Sequence, residues 1–171
     1  MNETMVTAKV AIAAFFTAIG AFLGWKGIMA LVWVVLMALD YISGTLAARK
    51  DGSWKSAVAR EGLWHKGGMI LVVVVALIAD MVMAVALQNI PVVNIAWPDV
   101  LLPLVLAWYI ITELGSILEN AIKLGANVPV WLVRILDASL KIVETAGQNA
   151  AKVDGNALAE EYTPPDIAKT E

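Results

Sequence analysis

The sequence has no cysteine and one histidine, His65, among 171 residues. Without cysteine, disulfide frameworks and thiolate zinc sites are excluded. His65 stands in a basic segment with no nucleophile or second ligand beside it. No Gly-x-Ser-x-Gly or zinc-protease pattern occurs, and the glycines of Gly20–Gly27 do not form a phosphate loop, because Lys26 is followed by Gly27. The chain therefore reads as a non-enzyme that needs no cofactor and no metal. Charge is also scarce: Asp, Glu, Lys and Arg make up 16% of the residues, against roughly 25% in soluble domains. There is no basic surplus either, since the formal net charge is −3, which removes the electrostatic case for nucleic-acid binding.

What the chain does have is apolar surface. Hydrophobic residues are 60% of the total and the mean hydropathy is +0.77. A small soluble domain leaves too much of itself in water to tolerate that composition, so the chain reads as an integral membrane protein. A bilayer core about 30 Å thick needs about 20 helical residues. Four apolar segments approach that length, at about 8–24, 28–48, 69–87 and 100–119. The first two are separated only by Gly24-Trp25-Lys26-Gly27, which reads as a tight helical hairpin turn. The expected fold is all-α: a transmembrane domain over 1–127 with about four spans, a cytoplasmic amphipathic helix over 128–148, and a mobile acidic tail over 149–171.

The placement of basic residues sets the orientation. The segment between the second and third spans carries Arg49, Lys50, Lys55, Arg60 and Lys66, whereas Gln88–Asp99 carries no Lys or Arg. The first belongs in the cytoplasm and the second outside, so four spans leave both termini cytoplasmic. Trp25, Trp64 and Trp97 fall near the interfaces, where indoles settle. Ser53 is placed to N-cap a short cytoplasmic helix running towards Gly62. In the last helix, opened by Val128-Pro129, Leu132, Ile135, Leu136, Ile142, Val143 and Ala146 share one face. Arg134, Asp137, Lys141, Glu144 and Gln148 share the other. That helix suits packing on another helix as well as lying on the membrane.

Three acids stand inside the apolar segments, where a carboxylate costs roughly 2.5–3.5 kcal/mol at mid-span and needs a partner or water. Each lies in a seam of small or polar residues at helical spacing: Asp40, Ser43 and Gly44; Asp80 with Ala76 and Ala84; and Tyr109, Glu113, Ser116 and Asn120, with Glu119 beside them. Asp40 and Glu113 lie at a similar depth, about 12 Å from the cytoplasmic ends of their spans. They are placed to meet directly or through Ser43, Ser116 or Tyr109, with snorkelling Arg49 or Lys50 a further partner for Asp40. Asp80 lies nearer the outer side. These seams are expected to face an oligomer contact or a watery pore wall.

The residues also resemble a known family. Leu39-Asp40-Tyr41-Ile42-Ser43-Gly44 is similar to the Asp…Ser-Gly signature of the bacteriophage holin family, which is also found beside clostridial toxin genes. Ser56 and Arg60-Glu61-Gly62-Leu63-Trp64-His65-Lys66 resemble its basic Gly-Leu…Lys loop. Glu113-Leu114-Gly115-Ser116-Ile117-Leu118-Glu119-Asn120, followed by Gly125 and Pro129, resembles its third motif. Thr112 stands where the family often has Asn, and the tail is acidic where holin tails are commonly basic. The resemblance spans about residues 28–135. It implies a homo-oligomer in the bacterial cytoplasmic membrane that opens lesions for an endolysin or toxin, which is cargo rather than a stable partner. From the residues alone, a small ion- or proton-coupled transporter and a membrane scaffold are the competing readings.

Overall fold

A computed structural model describes the backbone over residues 3–90 and 97–159, and the side chains over 24–90 and 97–152. Within those limits the chain is helical throughout: α1 (Glu3–Lys50), α2 (Ser56–Asn89), α3 (Leu101–Leu124) and α4 (Val130–Ala159). Gly24–Lys50 of α1, α2 and α3 are each long and apolar enough to cross a membrane. The side chains of the expected first span, 8–24, lie outside the described residues.

The expected four-residue hairpin turn at Gly24–Gly27 is instead a break at one residue. Gly24 has φ 64° and ψ 179° while its neighbours stay helical, a region essentially reserved for glycine because any Cβ clashes there. The expected short helix between Ser53 and Gly62 is also absent. The α1–α2 connection is only Asp51–Lys55, and α2 begins at Ser56 and continues unbroken to Asn89. Ser53 instead closes the end of α1, its backbone N–H donating to the Ala48 carbonyl at 3.0 Å. The helix runs through Gly62, Gly67 and Gly68, where an added Cβ would meet nothing within 4 Å. At 34 residues, α2 is about 51 Å long, well beyond the hydrocarbon thickness, and its basic first third projects past the apolar part.

The third span organises the bundle. α3 packs against each of the other helices, while α1 and α2 barely touch one another. Trp33 and Met37 of α1, Met69 of α2, and Leu102 and Leu106 of α3 form the buried apolar centre. The Trp33 ring stacks on Tyr109 with centroids 5.7 Å apart. Most large apolar side chains lie outside that centre, including Leu71, Val75, Val82 and Val85 of α2. This suits helices surrounded by lipid, where apolar burial gives little drive for helix association and packing and polar contacts supply it.

Both ends of α3 are closed without water. At its C-terminus, Gly125 takes φ 98°, the Gly125 N–H donates to the Ile122 carbonyl and the Ala126 N–H to the Ala121 carbonyl, each at 2.9 Å. This is the Schellman arrangement, with glycine at the left-handed position. The last two carbonyls, of Lys123 and Leu124, accept from Lys50 Nζ at 3.2 and 2.8 Å. All four terminal carbonyls that an α-helix leaves open therefore have donors. At the N-terminus no local side chain caps the helix. The cap comes from α2 instead: the Asp80 carboxylate accepts from the Leu101 N–H at 3.2 Å, the Leu102 N–H at 2.8 Å, and Trp97 Nε1 at 2.7 Å. A carboxylate at the positive end of a helix is doubly favoured, by its hydrogen bonds and by the helix dipole.

α4 packs along α3 rather than standing apart. Leu132, Leu136, Leu140, Val143 and Gly147 are partly buried at the spacing of a helix-packing seam. Ile135 and Ile142, expected on that same face, remain exposed. The helix extends beyond its expected end near 148 to Ala159.

Replacing Asp80 with Ala leaves three N–H groups without an acceptor, at about 1–3 kcal/mol for each that water cannot reach. Thermal unfolding in detergent should show a clear loss for Asp80→Ala and a smaller one for Asp80→Asn, which keeps one acceptor oxygen.

Candidate functional site

The acids of the first and third described spans come together around a cation that the sequence pattern had assigned to a loop. Lys66 Nζ lies 2.7 Å from both Glu113 Oε1 and Oε2 and 3.0 Å from Asp40 Oδ2. Asp40 comes from α1, Lys66 from α2 and Glu113 from α3, so one ammonium group ties three helices together. Asn120, one helical face along from Glu113, donates Nδ2 to Asp40 Oδ1 at 3.0 Å and to Ser43 Oγ at 3.1 Å. Ser43 Oγ in turn donates to the Asp40 carbonyl at 3.1 Å. Gly44 lets this seam close: a Cβ there would stand 3.4 Å from Asn120 Nδ2, already at contact distance.

The arrangement follows from helical spacing. Glu113 and Asn120 are two turns apart on one face of α3, and Asp40, Ser43, Gly44 and Ala47 share a face of α1. Ala47 and Met37 are buried against α3, which fixes the rotation of α1 and aims Asp40 inwards. Lys66 reaches the same level because α2 begins ten residues earlier, at Ser56. The Glu113 carboxylate is 4% exposed, the Lys66 side chain 14% and the Asp40 side chain 20%. Exposure thus rises from Glu113 on α3 through Lys66 on α2 to Asp40 on α1.

The other expected residues separate into distinct places. Asp80 does not join the cluster; it caps α3 from α2. Tyr109 lies in the apolar centre between Trp33 and Trp108, 5.2 Å from the latter. Ser116 and Glu119 line an open cleft of about 380 Å³ between α1, α2 and α3, with Asp40, Lys66 and Asn120 at its inner end. Ser53, Trp54 and Lys55 of the α1–α2 connection also line it. Of the basic residues, Arg49 stacks over Trp54 at 5.4 Å, Lys50 closes α3, Lys55 lines the cleft mouth, and Arg60 sits exposed on α2. Neither Arg49 nor Lys50 pairs with Asp40. Sequence reasoning missed Lys66 as the partner, and Trp97 as a ligand of Asp80. The available signal for Lys66 was its place three residues before Met69, within one turn of the apolar segment.

The fold is all-helical, with three helices long and apolar enough to cross a membrane, and one ion cluster joins all three. The chain belongs to the bacteriophage holin family, whose model matches residues 17–141, a range that includes every residue of the cluster. It is similar to uncharacterized proteins of Listeria innocua (27% identical over 128 residues, covering 75% of this chain and 83% of the relative) and Halalkalibacterium halodurans (32% over 118 residues, 68% and 82%). A third uncharacterized relative, from Clostridium perfringens, is 30% identical over 103 residues, covering 60% of this chain and 68% of its own length. No solved structure matches.

Removing one partner of a buried ion pair typically costs 3–5 kcal/mol, because the other charge stays buried and unpaired. Lys66→Met should therefore lower unfolding stability in detergent by about 3–5 kcal/mol. The combined variant Lys66→Met/Asp40→Asn/Glu113→Gln should recover much of that loss.

Proposed function

We propose that this protein is a holin: it accumulates in the bacterial cytoplasmic membrane as a multi-pass protein, oligomerises, and opens lesions through which an endolysin or toxin leaves. The observation that carries this reading is the Asp40–Lys66–Glu113–Asn120 cluster in a chain of the holin family. The cluster pairs the polar groups of three spans inside one protomer. A protomer built this way sits in lipid without exposing charge from those spans, and presents a rigid unit for assembly. The expected role of these residues as an oligomer seam or pore wall thus becomes a role within the protomer, and assembly uses other surfaces. The basic residues at the α1–α2 connection support a cytoplasmic position for that end of the bundle, by the asymmetry of Lys and Arg. The cleft leading to Lys66 then opens towards the cytoplasm.

Expression in bacteria together with an endolysin tests the proposal. A holin produces an abrupt loss of membrane potential followed by endolysin-dependent lysis. Loss of potential without release of endolysin would instead support an ion-coupled transporter, and accumulation with no permeabilisation would leave a scaffold. Glu113→Leu should insert at least as readily as the parent chain, yet lyse later or not at all. Unchanged lysis timing in that variant would remove the cluster from the mechanism.

A further inference from the structure

The three spans leave no charge facing lipid at mid-depth, but α4 does. Trp108 lies seven residues from the start of α3, about 10 Å below its outer end, and its Nε1 donates to Glu144 Oε1 at 3.3 Å. The five residues between Leu124 and Val130 hold the start of α4 beside the opposite end of α3. α4 therefore runs back alongside the span, across the depth that hydrocarbon occupies. Arg134, Asp137, Lys141 and Glu144 form an exposed stripe along it. Among the described residues, none of the four makes an ion pair within the chain. Charged side chains are the costliest residues to present to lipid at such a depth. About a third of a turn away, Trp131, Ile135 and Ile142 present an apolar edge that is equally exposed.

α4 thus has three faces: a seam on α3, an apolar edge suited to lipid or a neighbouring copy, and a charged stripe suited to neither. We infer that this stripe lines the aqueous lumen of the assembled lesion, so that α4, rather than the polar seams of the three spans, forms the water-facing wall. The alternating signs make that wall neutral and hydrated, which suits passage of a folded cargo better than selection of one ion. An upright α4 also directs its Ala159 end towards the outer side. The inference rests on the pore reading proposed above.

The absence of cysteine makes the full chain a ready background for single-site fluorophores. Lys141→Cys and Ile142→Cys, labelled with an environment-sensitive dye and reconstituted in vesicles, should differ in which quencher reaches them. Where the vesicles release an entrapped marker, iodide should quench position 141 several-fold more than 142. A lipid with a doxyl group at the bilayer centre should do the reverse. Asp137→Cys and Ile135→Cys supply the same contrast should Lys141 prove intolerant. Quenching of 142 only by a headgroup-level doxyl would mean that α4 lies on the membrane surface. Quenching of 141 by the central doxyl, or by neither reagent, would mean that the stripe is lipid-facing or covered. Either result in leaking vesicles overturns the assignment of α4 alone. Vesicles that retain their marker would remove the pore reading and this inference together.

Discussion

The structure depends on one ammonium group. Lys66 stands within hydrogen-bond distance of both oxygens of Glu113 and of one oxygen of Asp40. A lone carboxylate in this setting is costly, because lipid offers it neither water nor donors. The cation relieves both acids at once, and because its partners come from different helices, that relief also specifies which helices are neighbours. Apolar packing alone specifies far less, since lipid tails satisfy an exposed leucine as well as another helix does. The inverted core, with Asp80, Glu113 and Asn120 among the most buried residues and rows of valine and leucine outside, is the consequence.

The same constraint explains α3. Every polar group at its two ends is met by a donor or acceptor from elsewhere in the chain: Asp80 of α2 at the start, and Gly125, Ala126 and Lys50 at the finish. Asp80 holds α2 at the start of α3, and the Asp40–Lys66–Glu113 cluster holds both α1 and α2 at its middle. Apart from the Lys66–Asp40 contact, α1 and α2 meet mainly through α3, and a cleft remains between the three helices. The ion cluster meets that cleft, whose lining includes Asp40, Lys66 and Asn120.

Three of the expected apolar segments, 28–48, 69–87 and 100–119, and the meeting of Asp40 with Glu113 at one level were legible in the sequence, because each follows from helical periodicity and a fixed rise per residue. The face of Asp40, Ser43 and Gly44 and the face of Glu113 and Asn120 were legible for the same reason, but the pairing of Asn120 with Asp40 was not. Lys66 was not. A lysine just ahead of an apolar run is the ordinary signal of a cytoplasmic loop, and Gly67 and Gly68 follow it. Packing overrode that local preference and carried the helix through both glycines. The cap on α3 was hidden for a different reason: its acceptor lies some twenty residues away, so no local spacing rule could connect them. The length of α4 was obscured by the polar, acidic composition that begins near Asn149, which reads as a tail although the helix continues to Ala159.

A bundle whose spans satisfy one another leaves α4 as the element that answers to its surroundings, and ties assembly to a stable protomer. That account stands or falls on the Lys66 contacts in a bilayer. Solid-state NMR on the chain in lipid, with 15N at Lys66 Nζ and 13C at the carboxyl carbons of Asp40 and Glu113, measures them directly. The account predicts strong dipolar couplings from Lys66 to both carboxyl carbons. Couplings to neither, with Lys66 at the membrane surface among the other basic residues, would contradict it.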